Sequence, residues 1–173
     1  MKKFLSALVL LALVSTQAHA AEIAFMGVTG KVQGNFKGES LAPARKDRMP
    51  IAAFNFEVLA PIGANTGMPS GKRVHKPIVV TKEWGAASPQ FVQALINNEV
   101  LTQVVIEFYD TAANGEEVLS SSIKLTNASI SDVNQTYGES AGKMANLQNI
   151  SLTYQRMELT DKSGTTVIDD GNN

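Results

Sequence analysis

Cysteine is absent from the 173 residues of this chain. No disulfide can form, so the folded domain must be held together by side-chain packing and, where copies associate, by contacts with partner subunits. Aromatic residues are also few, with one tryptophan, three tyrosines and seven phenylalanines. Cohesion is therefore expected from extended packing of aliphatic side chains.

Long apolar runs are scarce as well, and the clearest one lies at the N-terminus. Met1-Lys2-Lys3 is a short basic start, Phe4–Val14 is almost unbroken in its apolar character, and Ala18-His19-Ala20 is a small-x-small tripeptide. This three-part pattern is typical of a secretory signal peptide, and its apolar core is too short to span a bilayer. We therefore predict that residues 1–20 are a signal peptide and that the mature protein is secreted or periplasmic.

Strong charge of either sign is missing from the rest of the chain. With Lys2 and Lys3 removed, thirteen basic residues face sixteen acidic ones, which gives a formal charge of −3. A mildly acidic surface without charge runs argues against nucleic acid or an anionic membrane as the main partner. We expect neither partner once the signal has been removed.

Catalytic groups are scarce beyond residue 20. His75 is the single histidine there, and we expect it at the surface, because one histidine without a local motif is rarely catalytic. Glu116-Glu117 and Asp169-Asp170 lack the spacing of a calcium loop. The stretch Gly27–Val32, "GVTGKV", lacks the Ser or Thr and the following helix that a phosphate loop requires. The chain is expected not to be an enzyme, with no catalytic, cofactor-binding or metal-binding residue and no cofactor.

Strand patterns account for most of the chain. Residues 51–62, "IAAFNFEVLAPI", alternate with period two between Pro50 and Pro61 and predict one strand. Residues 34–49 are polar and predict a surface loop. Residues 63–73, "GANTGMPSGKR", predict a long excursion from the sheet, which in compact domains tends to be a binding loop or a disordered one.

The second half of the chain predicts a series of antiparallel strands. Asn114-Gly115, in "TAANGEE", separates two of them and is a strong hairpin signal. In "NLQNISLTYQRMELTD", residues 146–161, the apolar positions change from even to odd numbers, which predicts a β-bulge near Gln155-Arg156. Residues 165–168 predict a last short edge strand, followed by a polar tail at 169–173.

One short segment predicts a helix. Ser88 is a favoured N-cap residue and Pro89 suits the first helical position. Four apolar residues then follow at helical spacing: Phe91, Val92, Leu95 and Ile96. If Ser88 caps this helix, Ser88→Ala should destabilise it by about 1 kcal/mol.

These segments together predict a mainly β domain over residues 21–168. Its fold class is an antiparallel β-barrel or two-sheet sandwich with one short helix, which would close an open end or side of the barrel. About 150 residues are enough for one domain with a sizeable core.

The order of the segments resembles the haemolysin-coregulated protein (Hcp) family, the tube protein of type VI secretion. The resemblance covers roughly residues 23–159. Its most specific part is Thr81-Lys82 followed by Ser88-Pro89 and the apolar helix, and the strands "LTNASISDV" and "ISLTYQRMEL" come after it.

The resemblance implies a structural ring or tube subunit. Six copies would form a ring, rings would stack into a hollow tube able to hold secreted effector proteins, and sheath and spike proteins would be further partners. The excursion at 63–73 would touch the next ring, and no residue would be catalytic. The alternative is an exported periplasmic or extracellular binding module that uses the same barrel as a monomer or small oligomer.

We predict that the signal peptide is cleaved after Ala20, because the tripeptide Ala18-His19-Ala20 fits the cleavage site. The intact mass of the exported protein should then correspond to a chain that starts at Ala21. An exported chain that still carries Met1 would contradict both the cleavage and the secreted or periplasmic location.

Overall fold

The structure, a computed structural model, describes residues 23–40, 45–65, 67–140 and 142–170, and the predicted signal peptide lies outside them. The strands are β1 (Ile23–Gly30), β2 (Gly34–Asn35), β3 (Met49–Ile51), β4 (Ala53–Asn55), β5 (Val58–Leu59), β6 (Val74–His75), β7 (Ile78–Glu83), β8 (Leu101–Thr111), β9 (Glu117–Ser140), β10 (Lys143–Thr153), β11 (Arg156–Asp161) and β12 (Thr166–Asp170). The helix is α1 (Ser88–Ile96). Within these ranges, no helix has the length and apolar character needed to cross a membrane.

Ten of the strands form a barrel in which all pairings are antiparallel. Hydrogen bonds link β1 to β8, β8 to β9, β9 to β10, β10 to β7 and β7 to β4. Strand β3 pairs with β1, and the backbone N–H of Ala52, between β3 and β4, donates to the Thr81 carbonyl at 2.7 Å. The barrel therefore closes through the β3–β4 segment. The predicted fold class, a mainly β domain with one short helix, is confirmed.

Strand β9 joins the two sides of the barrel. Its first half lies between β8 and β11, and its second half pairs with β10. The change of partner occurs at Asn127, whose φ of 49° lies in the left-handed region that asparagine tolerates better than most residues. The Asn127 side-chain amide donates to Gln155 Oε1 at 3.1 Å, so the bend in β9 is tied to the chain opposite it.

The prediction of a β-bulge near Gln155-Arg156 is wrong, because these residues lie where one strand ends and the next begins. Strand β10 ends at Thr153 and β11 begins at Arg156, so the chain passes there from one sheet to the other. The change of sheet explains the change of apolar phase, because each strand presents its own alternate residues to the shared core. The register shift lies earlier, between Ser151 and Leu152, opposite β9.

The core fills the space between the two sides of the barrel. Phe36 and Phe91 meet edge to face within it, with ring centroids 5.1 Å apart. Phe36 and Met49 are fully buried, so the prediction that residues 34–49 form a surface loop is wrong at both ends. The other buried apolar residues include Met26, Val28, Ile78, Val80, Leu101, Val104, Ile106, Leu125, Ile150, Leu152 and Met157.

Helix α1 covers one side of the barrel against β9. Phe91 and Ala94 are buried, whereas Ile96 is exposed, so the predicted apolar stripe is correct only in part. The N-cap position is held by Ala87, without a side-chain hydrogen bond. Ser88 is the first helical residue and its side chain points into the protein, so the predicted Ser88 cap is wrong.

Of three further predicted segments, the hairpin is confirmed, and the single strand at 51–62 and the polar tail are not. Residues 51–62 form parts of three short strands, since the chain crosses between the two sheets at Ala52. The Asn114-Gly115 hairpin is confirmed: it joins β8 to β9, with Gly115 at a φ of 85°. Asp169 and Asp170, assigned to a polar tail, belong to β12.

Glu99 holds the turn between β1 and β2. Its Oε1 accepts hydrogen bonds from the backbone N–H groups of Val32 at 2.7 Å and Gln33 at 2.8 Å, and its Oε2 accepts one from the Gln33 side chain at 2.9 Å. Burial by itself raises the pKa of Glu99, but the hydrogen bonds to the ionised form outweigh it and the pKa lies below its ordinary value of 4.5. The ionised carboxylate therefore stabilises the fold above that pH.

We expect Glu99→Gln to lower the free energy of unfolding at pH 7 by roughly 1–3 kcal/mol, because the amide cannot accept all three hydrogen bonds. Because the folded-state pKa is lowered, the loss should shrink as the pH falls below 4.5. Urea unfolding across this pH range measures it, with the exposed Asp132→Asn as control. Equal stability of wild type and Glu99→Gln at pH 7 would contradict the role of Glu99.

Candidate functional site

A two-stranded arm, residues 57–76, projects from the barrel. Strands β5 and β6 form its ladder, with Val58 opposite His75. Near the tip, Ile62 and Pro69 form a β-bridge, and the N–H of Ser70 donates to the Pro61 carbonyl at 2.7 Å. The excursion predicted at 63–73 is confirmed and forms the outer part of this arm. The arm itself begins at residue 57, before the first glycine of the predicted excursion.

The surface of the arm is both apolar and basic. Five of its apolar side chains are exposed: Val58, Leu59, Ile62, Met68 and Val74. Lys72 and Arg73 are also exposed, and neither has an ion-pair partner among the described residues. Several exposed apolar side chains on one projecting segment favour an interaction site there.

His75 fixes the base of the arm to the barrel. Its Nδ1 lies 2.9 Å from Tyr154 Oη and 3.2 Å from Asp169 Oδ2, and the rings of His75 and Tyr154 meet edge to face. Burial, with the nearby Asp169 charge, raises the pKa of Tyr154 to about 12, so the phenol stays protonated and can donate a hydrogen bond. The expectation that His75 is a plain surface residue is therefore wrong: it is half-buried and anchors the arm.

A buried lysine organises the other end of β7. Lys82 is 1% exposed, and its Nζ donates to Glu39 Oε1 at 3.2 Å, to the Glu83 carbonyl at 2.6 Å and to Ser88 Oγ at 3.3 Å. Ser88 Oγ also accepts the N–H of Gly85 at 3.0 Å. These contacts explain the spacing of Thr81-Lys82 and Ser88-Pro89, because the hydroxyl at 88 is a partner of the lysine at 82.

An acidic cleft of about 220 Å³ lies beside this lysine. Its lining consists of Glu39, Pro50, Ile51, Ala52, Glu83 and Trp84. Trp84 is 39% exposed, so part of its indole is free for contact. Glu83 is exposed and has no ion-pair partner in the described part of the chain, so it gives the cleft a negative charge that Lys82 does not balance.

The arm and the acidic cleft lie at opposite ends of one ladder. Strands β4 and β7 pair with Ala53 opposite Thr81 and Asn55 opposite Val79. The arm continues from the Asn55 end, while Ala52 and Glu83, which line the cleft, lie beyond the other end. The two ends of this ladder are therefore chemically different: a basic, projecting arm lies at one and an acidic, concave surface at the other.

The acidic pairs that the sequence singled out have separate local roles. Glu117 pairs with Arg45, whose guanidinium lies over the rings of Phe25 and Tyr109 at 4.5 and 4.3 Å, and Asp169 pairs with His75. Among the described residues, no group of three or more His, Asp or Glu side chains could hold a metal ion. The stretch at 27–30 belongs to strand β1, as its lack of the phosphate-loop features predicted.

Sequence comparison places the chain in a known family. The family model described as "Type VI secretion system effector, Hcp" matches residues 25–160. The chain belongs to the Hcp family. It is 32% identical over 161 residues to the "Major exported protein" of Pseudomonas aeruginosa, an alignment that covers 85% of this chain and 94% of the relative.

Solved structures of Hcp proteins share the fold. A crystal structure of an Hcp protein superposes with a TM-score of 0.82 at 25% identity and covers 88% of this chain and 99% of its own. The secreted protein Hcp3 of Pseudomonas aeruginosa gives a TM-score of 0.74 at 29% identity, with 88% and 100% covered. The Hcp family is a structural family of type VI secretion tube proteins, and this chain is a tube subunit by that membership.

No local sequence pattern indicates Glu39, Trp84 or Tyr154 as site residues. One signal for the buried lysine was available: Ile78, Val80 and Lys82 share one face of β7, and the first two are core residues. The alternation of side chains along a strand therefore directs Lys82 inward. A buried ammonium group requires a partner for its charge. The partner, Glu39, is distant in sequence and could not be identified from the pattern.

We expect Lys82→Met to destabilise the fold by about 3 kcal/mol, because Glu39 then keeps a largely buried charge without its partner. Adding Glu39→Gln should recover much of the loss, since glutamine is neutral and still accepts the N–H of Ala87. Denaturant unfolding of the single and double variants measures this coupling. Lys124→Met, at the more exposed Lys124–Glu158 pair, is the control and should cost less than about 1 kcal/mol. Additive losses at Lys82 and Glu39 would contradict the pairing.

Proposed function

We propose that six copies of this chain close into a ring and that the rings stack into a hollow tube. The observation that carries the proposal is the arm: it projects from the barrel, and apolar side chains as well as Lys72 and Arg73 are exposed on it. Family membership gives the type VI secretion setting. Exposed apolar side chains on the arm would favour aggregation if they stayed uncovered. A surface on another copy that covers the arm would explain why the chain has them.

Two different ends suit head-to-tail assembly. Identical subunits that present two different complementary surfaces form heterologous contacts, which close into rings or continue as open stacks. The basic arm and the acidic cleft are such a pair of surfaces, and they lie at opposite ends of the β4–β7 ladder. The ring would use the flanks of the barrel, and the ends would be left for stacking.

Export and cargo complete the proposal. We infer that residues 1–20 direct the chain out of the cytoplasm and that the mature protein is secreted or periplasmic, in keeping with its similarity to a protein named for its export. The lumen of the tube would hold effector proteins, and sheath and spike proteins would surround and cap it. In this role the protein acts through shape and assembly, without catalysis.

We predict that deletion of residues 63–70 leaves single rings intact and weakens their stacking, because these residues lie at the tip of the arm, outside the barrel. Sedimentation velocity and negative-stain images of the mature protein compare the two forms. Ile96→Ser with Val118→Ser is the control, because it removes exposed apolar side chains away from the arm. A full-length mature protein that stays monomeric at high concentration would favour the exported binding module instead.

A further inference from the structure

We propose that Lys72-Arg73 is a cleavage site for proteases of trypsin-like specificity, and that a cut there opens the arm while the barrel stays folded. Such proteases hydrolyse the peptide bond after a lysine or an arginine, whose side chain enters an acidic pocket of the enzyme. The inference rests on the proposed function only for its setting, since export brings the arm into contact with extracellular proteases.

The backbone around this pair is open to a protease. Residues 70–74 are all exposed, and at Gly71 no atom beyond the chain neighbours lies within 4 Å of the place where a Cβ would stand. Lys72 and Arg73 belong to no strand or helix, and in the described part of the chain no backbone hydrogen bond involves either of them. Proteolytic nicking concentrates at exposed backbone of this kind.

The other basic residue of the arm is protected by its neighbour. Lys76 is followed by Pro77, whose ring fixes φ and leaves the peptide bond without an N–H. Trypsin-like proteases cut such Lys–Pro bonds poorly. The N–H of Lys76 also donates to the Glu57 carbonyl at 3.1 Å, which ties this residue into the base of the arm. Cleavage within the arm is therefore directed to Lys72 and Arg73.

Basic residues elsewhere in the described chain are held more firmly. Four of them lie in strands: Lys82, Lys124, Lys143 and Arg156. The backbone N–H groups of Lys31 and Lys37 donate to other segments at 2.9 and 2.8 Å. Lys46 and Lys162 lie in tight turns, each closed by a backbone hydrogen bond of 3.0 Å. A protease can cut at these residues only after the fold opens locally.

The barrel holds the two products together. Hydrolysis of the bond between Arg73 and Val74 consumes one water and leaves a carboxylate on Arg73 and an ammonium group on Val74. The pairs β1–β8 and β4–β7 each join a strand before the cut to a strand after it. His75, next to the cut, keeps its contacts with Tyr154 and Asp169. The nicked protein therefore remains one folded particle with an open arm.

Limited digestion of the mature protein with trypsin tests the site. Intact masses should show a first pair of fragments that meet after residue 72 or 73. Lys72→Gln with Arg73→Gln should slow the first cut about tenfold or more, because each remaining site requires local opening of the fold. Lys46→Gln with Lys162→Gln is the matched control and should leave the rate unchanged. A first cut after Lys46 or Lys162, or equal rates for the two double variants, would overturn the inference.

Gel filtration of the nicked protein tests whether the barrel survives the cut. Both fragments should elute together in buffer and separate only in denaturant. Fragments that separate without denaturant would overturn this part of the inference.

The digestion also distinguishes the inference from the proposed function, because cleavage can be measured on chains that have not assembled. A mature protein that is nicked first at Lys72-Arg73 but never forms rings would support the inference and contradict the proposed function. A protein that forms rings and is cut first at another residue would do the reverse.

Discussion

The structure depends on one strand that belongs to both sides of the barrel. Strand β9 pairs with β8 and β11 along its first half and with β10 along its second, and the change occurs at the left-handed backbone of Asn127. The Asn127 side chain also donates to Gln155 Oε1, which lies in the break between β10 and β11. This shared bend directs alternate side chains from both sides into one core, and it does so without a disulfide.

The proposed assembly depends on the outer features that this barrel holds in place. The β4–β7 ladder ends in the arm on one side and in the acidic cleft on the other, and each end is fixed by a polar contact: His75 with Tyr154 at the arm, and Lys82 with Glu39 at the cleft. A catalytic protein directs such groups at a substrate. Here they position surfaces, which suits a family whose members act as secretion tube subunits.

The sequence predicted the elements that depend on local pattern. Period two identified most strands of the second half, Asn114-Gly115 identified the hairpin, and the glycines of the arm identified the excursion. Long-range contacts explain the failures. Phe36 is buried because Phe91 lies against it, and Ser88 faces inward because Lys82 is there to donate to it. A single sequence does not show which distant residue will meet which, so neither the Glu39–Lys82 pair nor the cleft could be predicted.

We propose that the chain is built to associate with copies of itself, and the mass of the mature protein in solution provides a direct test. Native mass spectrometry or light scattering over a range of concentrations gives that mass without any substitution. If six copies form a ring and the rings stack, the mass should be that of six chains, with larger multiples of it as the concentration rises. A single chain, or a pair, at every concentration would contradict it.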